Sequence, residues 1–179
     1  MFSYIYNFLR YIINNNISDI KHIDLYNNQF QNLSTNDPIP YPAVLIEIVP
    51  DAVFEQYSNK LQIAQITVNL YLGTEFASSL RSNDSKIDKS LEHLSLVDRL
   101  FKYVEGVNNN DLPDELKSTI YEIGSLHRKT VEFLTGYNTV KVTKTSFIFR
   151  FADASAYPTY TTVNLTDLNV TGEYQMTFK

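Results

Sequence analysis

The side chains able to do acid-base or metal chemistry in this chain are few and far apart. Glu47 is the single charge in the apolar run Tyr41 to Val49. A carboxylate in such a setting is solvated, partnered or, beside a second carboxylate or a histidine, a general acid or base. No such second group can be located from the sequence, and the expectation is that Glu47 is exposed. Asp51 with Glu55 and Asp114 with Glu115 are carboxylate pairs of the kind an acidic chain shows by chance. The histidines His22, His93 and His127 are isolated. His93, Asp98 and Arg99 read as the solvated flank of a helix, because no glutamate-histidine pair at metal spacing accompanies them. The chain has no cysteine, so disulfides, thiol nucleophiles and thiolate metal sites are excluded. A phosphate-binding glycine loop, a Gly-x-Ser-x-Gly elbow, a His-Glu-x-x-His helix and a calcium loop are all absent from the sequence. No catalytic residue, metal ligand or cofactor is therefore assigned. The enzymatic alternative is a small metal-dependent nuclease using Glu47 and a carboxylate from the Asp51 to Glu55 turn, although Glu47-Ile48-Val49 lacks the acid-x-lysine pattern of such enzymes.

Composition narrows the classes further. The 179 residues are 44% hydrophobic with 5 glycines and 6 prolines, which suits one ordinary domain and no repeat array. The net charge is -5 with no lysine or arginine cluster, whereas a duplex-binding domain needs a basic face. Nucleic acid is therefore not expected as the main ligand, and if the protein lines a channel, a mildly acidic wall would suit DNA only as passing cargo. The N-terminal segment is apolar but lacks a basic leader and carries Arg10, and no run reaches membrane-spanning length, so a cytoplasmically made protein without a membrane partner is expected.

The elements that must position these residues follow from periodicity. Phe2, Ile5, Leu9 and Ile12 step by three and four, an amphipathic helix ending at Asn14-Asn15-Asn16. Ile23 and Leu25 alternate with Asp24 and Tyr26 as a short strand, and Asn32 to Pro40 is a loop. Tyr41 to Val49, bounded by Pro42 and Pro50, reads as a central strand covered on both faces. Ala52 to Tyr57 and Leu61 to Leu72 form a hairpin around Ser58-Asn59-Lys60. In its second arm Ile66, Val68, Leu70 and Leu72 share one face, while Leu61 and Ile63 fall in the opposite phase. Either a bulge near Ala64-Gln65 reconciles them or the tip leaves the sheet to meet another subunit; the second reading is favoured. Ser85 and Asp88 have capping-box spacing and open a long helix. Its expected core stripe is Ile87, Leu91, Leu94, Val97, Phe101 and Val104, and Gly106 stops it. Asp111 to Ile123 contains the helix-start signal Leu112-Pro113-Asp114-Glu115. Lys129 to Leu134 and Thr139 to Phe151 form a second hairpin around Thr135 to Asn138.

The opening of the chain carries a resemblance. A short helix, a strand, the glutamine-bearing Gln29-Phe30-Gln31 and the proline gate Tyr41-Pro42-Ala43-Val44 leading into Leu45-Ile46-Glu47-Ile48 follow the order of the tail-terminator and neck-ring proteins of tailed bacteriophages, and Met1 to Ile48 resembles that opening. The helix and strand order of Met1 to Phe151 is also similar to that fold. The fold class expected is α+β, a mostly antiparallel sheet packed by the N-terminal helix and the long amphipathic helix. The resemblance implies a structural virion protein: a homo-oligomeric ring, hexameric or dodecameric, at the neck or tail, touching other neck, portal or tail proteins and enclosing a DNA channel. The chain departs from the compact family plan in the long Asn108 to Ile123 connection and in its C-terminal segment. An adaptor that binds a host factor without forming a ring is the remaining alternative.

Residues 1–155 are expected to form the domain and residues 156–179 an extended arm. The arm alternates around Tyr157, Tyr160, Val163, Leu165, Tyr174, Met176 and Phe178 but is otherwise threonine, asparagine and aspartate, a composition that cannot make its own core. Either it adds strands to a neighbour or it is a disordered tail; the first reading is favoured. With the hairpin-tip residues Val53, Phe54, Tyr57, Leu61 and Ile63, these arm residues form the expected subunit interface.

Overall fold

The structure, a computed structural model, describes residues 1–31, 39–49, 52–75, 84–135, 137 and 140–156, with 84–90 as backbone only. Two helices and a mixed, curled sheet make an α+β fold. The elements are α1 (Phe2–Asn16), β1 (His22–Leu25), β2 (Ala43–Ile48), β3 (Phe54–Ser58), β4 (Leu61–Glu75), α2 (Asp84–Val104), β5 (Tyr121–Ile123), β6 (His127–Leu134) and β7 (Val140–Asp153). Only β1 with β2 is parallel; the β2–β4, β3–β4, β4–β7, β5–β7 and β6–β7 pairs are antiparallel.

The sheet is built on β4 and β7, which pair without a break from Gln62 opposite Asp153 to Glu75 opposite Val140. Each long strand carries two short ones end to end on its outer edge: β2 and β3 on β4, β6 and β5 on β7. Alternation along this ladder decides the two faces. One face carries Ala64, Ile66, Val68, Leu70 and Leu72 of β4 against Phe151, Phe149 and Phe147 of β7 and Ile48, Ile46 and Val44 of β2. These pack with Ile5, Phe8, Leu9, Ile12 and Ile13 of α1 and Leu96, Val97, Leu100 and Val104 of α2 in one buried core. α1 therefore buries Ile5, Leu9 and Ile12 as the three- and four-residue spacing predicts, whereas Phe2 is 49% exposed. The other sheet face holds a smaller cluster, in which Phe30, Ala43, Leu45, Tyr71, Val140 and Val142 are buried.

Several expectations change. No bulge interrupts β4 at Ala64–Gln65, and the hairpin does not leave the sheet. Leu61 and Ile63 simply lie on the face opposite Ala64, and the register shift falls on β3 between Gln56 and Ser58. The stripe of α2 is rotated: His93, Leu96, Val97, Leu100 and Val104 are buried, whereas Leu91 is 56% and Leu94 39% exposed. Both stripes fit helical periodicity, and contact with the sheet selects the one containing His93. The side chain of Ile87 lies outside the described residues, as do those of the capping pair Ser85 and Asp88. The Asn108 to Ile123 connection holds two single 3-10 turns, Asn109–Asp111 and Asp114–Leu116, followed by the unanticipated strand β5. Asn108 caps the first turn reciprocally with Asp111. Gly106 ends α2 with φ +79°, as expected of a left-handed stop.

Gln29-Phe30-Gln31 gains a physical meaning here. The tip of the Phe30 ring lies against Gly73, where an added Cβ would come within 2.5 Å of Cζ, and Phe30 is 1% exposed. Gly73→Ala is expected to destabilise by about 1–3 kcal/mol through overpacking, and by much less in a Phe30→Ala background. A denaturation double-mutant cycle with equal costs in both backgrounds would refute the contact. The rotated stripe gives a second test by the same measurement. Leu100→Ala should cost about 2–5 kcal/mol as a buried truncation, and Leu94→Ala only about 0.5 kcal/mol as a surface one. A reversal of that order would restore the stripe read from sequence.

Candidate functional site

Glu47 is neither freely solvated nor alone. On β2 it stands opposite Asn69 of β4, and its Oε2 accepts hydrogen bonds from Asn69 Nδ2 at 2.7 Å and Tyr71 OH at 2.8 Å. Ser146 of β7 donates to Asn69 Oδ1 at 2.6 Å, so one polar chain crosses β2, β4 and β7. Tyr26 stacks on Tyr71 with ring centroids 3.9 Å apart. Burial, then the hydrogen bond to Glu47, holds the Tyr71 hydroxyl far above the usual phenol range. Burial, then Tyr137, pushes Tyr26 up to about 12. Both phenols stay protonated at neutral pH. Tyr71 is thus a standing donor that satisfies a half-buried carboxylate.

The carboxylates of the nuclease alternative do not converge in the described part of the chain. Glu47 pairs with Asn69 and Glu55 with Ile63, six residues apart on β4, or roughly 20 Å along a strand. Asp51 lies outside the described residues. Asp114 is held below the usual carboxylate range by its hydrogen bond to Lys117, a local surface pair. Among the described residues no group of three or more histidine, aspartate or glutamate side chains could hold a metal ion.

His93 is the clearest departure from the sequence reading. It is fully buried, with Nδ1 2.8 Å from Thr74 Oγ1 and Nε2 2.7 Å from Thr143 Oγ1. The imidazole pins α2 to β4 and β7 together. A neutral ring has one donor and one acceptor, and a threonine hydroxyl can complement either. Burial first, and Lys141 second, lowers its pKa to about 4. Beside it Lys21, Tyr41, Pro42, Thr74, Glu75 and Glu92 line a cavity of about 180 Å³. The Tyr41 hydroxyl is buried without a hydrogen-bond partner among the described residues, and burial, then Glu75, raises its pKa.

The expected interface residues divide. Val53 and Tyr57 are 77% and 72% exposed, as a contact surface requires. Phe54 is partly buried against the main core. Tyr57, Leu61 and Ile63 line a groove of about 280 Å³ with Glu122, Gly124, Arg150 and Ala152. Tyr157, Tyr160, Val163, Leu165, Tyr174, Met176 and Phe178 lie outside the described residues. The strand read from the sequence as Lys129 to Leu134 is β6, which the sequence reading did not place at the interface, and its residues are exposed from His127 to Phe133. Its inner neighbour is β7, and no described strand pairs with its outer edge. Glu105 anchors its start through Arg128 N at 2.8 Å and His127 Nδ1 at 3.1 Å, and the Arg128 guanidinium lies 3.6 Å over the Phe101 ring. Val131 and Phe133 follow, 36% and 59% exposed. No described helix is long and apolar enough to cross a membrane.

The chain matches no protein-family profile, and no curated protein matches it.

His93 gives a pH test. Above the ordinary pKa of 6.5 it is neutral both folded and unfolded, and the Thr74 and Thr143 contacts are at full strength. As pH falls from 6.5 toward about 4, the unfolded chain takes up a proton that the folded one resists, so stability falls by up to about 1.4 kcal/mol per pH unit. Denaturation of the native chain and of His93→Gln across this window should show the steeper loss in the native chain. Parallel curves would remove the histidine from the account.

Proposed function

We propose that this protein is a structural virion subunit of a tailed bacteriophage, closing into a ring at the neck or tail around a DNA channel. The carrying observation is a sheet on which no described strand pairs with the outer side of β6 or of β3. β6 is exposed along one edge, and β3, exposed from Glu55 to Ser58, stands on the opposite one. Contacts made through two different edges are heterologous, and a heterologous contact that closes generates a ring. The resemblance of Met1 to Ile48 to tail-terminator and neck-ring proteins supplies the virion context. A net charge of -5 suits a channel wall that DNA passes without adhering.

In this reading the polar chain through Glu47 and the His93 clamp stiffen the subunit rather than act on a substrate. Native mass measurement and sedimentation test it directly. A discrete hexamer or dodecamer is expected, with Val131→Lys combined with Phe133→Lys reducing it to monomer while circular dichroism is unchanged. A native chain that stays monomeric as its concentration is raised would favour the adaptor. Metal-dependent DNA cleavage lost in Glu47→Gln would favour the nuclease.

A further inference from the structure

We propose that the strip between α2 and the outer edge of β6 receives residues Tyr174–Phe178 of an adjacent copy, added as a strand to β6; this rests on the ring reading. The strip is fixed from both sides. Arg128 of β6 lies over Phe101 of α2, and Glu105 of the segment following α2 reaches the start of β6, so this flank of the helix faces β6. Leu94 lies two turns before Phe101 on the same flank, whereas Leu91 points away from the sheet. On the strand, Phe133 is opposite Thr143, the residue that holds His93. Leu94 and Phe133 are therefore neighbours. Leu94, Val131 and Phe133, each at least 36% exposed, form one apolar strip beside a strand edge on which no described strand pairs.

The occupant is argued from the chain beyond Ala156. Tyr174-Gln175-Met176-Thr177-Phe178 alternates strictly, an amphipathic strand pattern whose apolar face matches the strip while its backbone pairs with β6. Residues 157–173 precede it and reach about 56 Å when extended. The chain leaves the sheet after Asp153, at the far end of β7 from the Thr143–Phe133 pair, and β5 already occupies the nearby β7 edge. A direct return to its own strip would cross that edge and run parallel to β6, the weaker pairing. An adjacent copy in the ring meets neither constraint.

The absence of cysteine makes crosslinking a clean test on the full chain. Lys129→Cys on β6 and Thr177→Cys are made in separate proteins, mixed and treated with a short bis-maleimide. Covalent dimers joining the two are expected. Adding Met176→Lys and Phe178→Lys to the second protein should cut their yield roughly ten-fold or more, the scale for losing two buried apolar anchors. A doubly substituted chain that closes only within itself would place the segment on its own β6 and overturn the proposal. No crosslink of either kind in a chain that still assembles by native mass would overturn this docking and leave the ring standing. A monomeric chain without crosslinks would overturn both.

Discussion

The uninterrupted pairing of β4 with β7 is the constraint on which the rest of the structure depends. Because Gln62 to Glu75 and Asp153 to Val140 stay in one register, each residue's face follows from its parity. A one-residue slip would turn Ile66, Val68, Leu70, Phe147, Phe149 and Phe151 away from both helices. The short strands β2, β3, β5 and β6 attach to this pair, and both helices lie across its apolar face. The bulges fall on the partners, within β3 and β6. The central ladder keeps phase while its margins bend.

Two polar groups are held inside this frame by partners on neighbouring strands. His93 faces the sheet where an aliphatic residue would ordinarily sit, and the hydroxyls of Thr74 and Thr143 keep it bonded and neutral. Glu47 is served by Asn69 and Tyr71, and Asn69 in turn by Ser146. Such networks stabilise little in net terms but are costly to break, so they select one packing over neighbouring alternatives. For α2 the clamp selects the rotation that buries His93 and Leu100 and exposes Leu94. That same choice gives the flank facing β6 its apolar character.

Assembly follows from what the frame leaves open. Long strands that carry shorter ones on both sides end in edges that differ from each other, and edges with unpaired backbone groups are templates for further strands. β6 is eight residues long, lacks proline and carries Val131 and Phe133, with only Arg128, Lys129 and Glu132 as permanent charges to discourage indiscriminate pairing. Such an edge suits a specific partner better than exposure to bulk solvent.

Local pattern in the sequence specified α1, both hairpins, the buried strand through Val44 and Leu45, and the glycine that ends α2, because each depends on periodicity or on one residue's backbone freedom. It could not decide among patterns that are locally equivalent. Ile87-Leu91-Leu94 and His93-Leu96-Leu100 both repeat as helical stripes. The tertiary structure chose the second because two threonines on adjacent strands stood where a histidine could bond them. Leu61 and Ile63 looked out of phase only while one face of the sheet was assumed apolar; the sheet buries side chains on both. The strand β5 was invisible because its three residues carry no periodic signal without β7 beside them. Glu47 looked solitary because Asn69, Tyr71 and Ser146 are distant in sequence and meet it only through strand register. The alternation of β6 could be read in the chain, but its place at an edge could not, since an edge is defined by which strands are absent from one side.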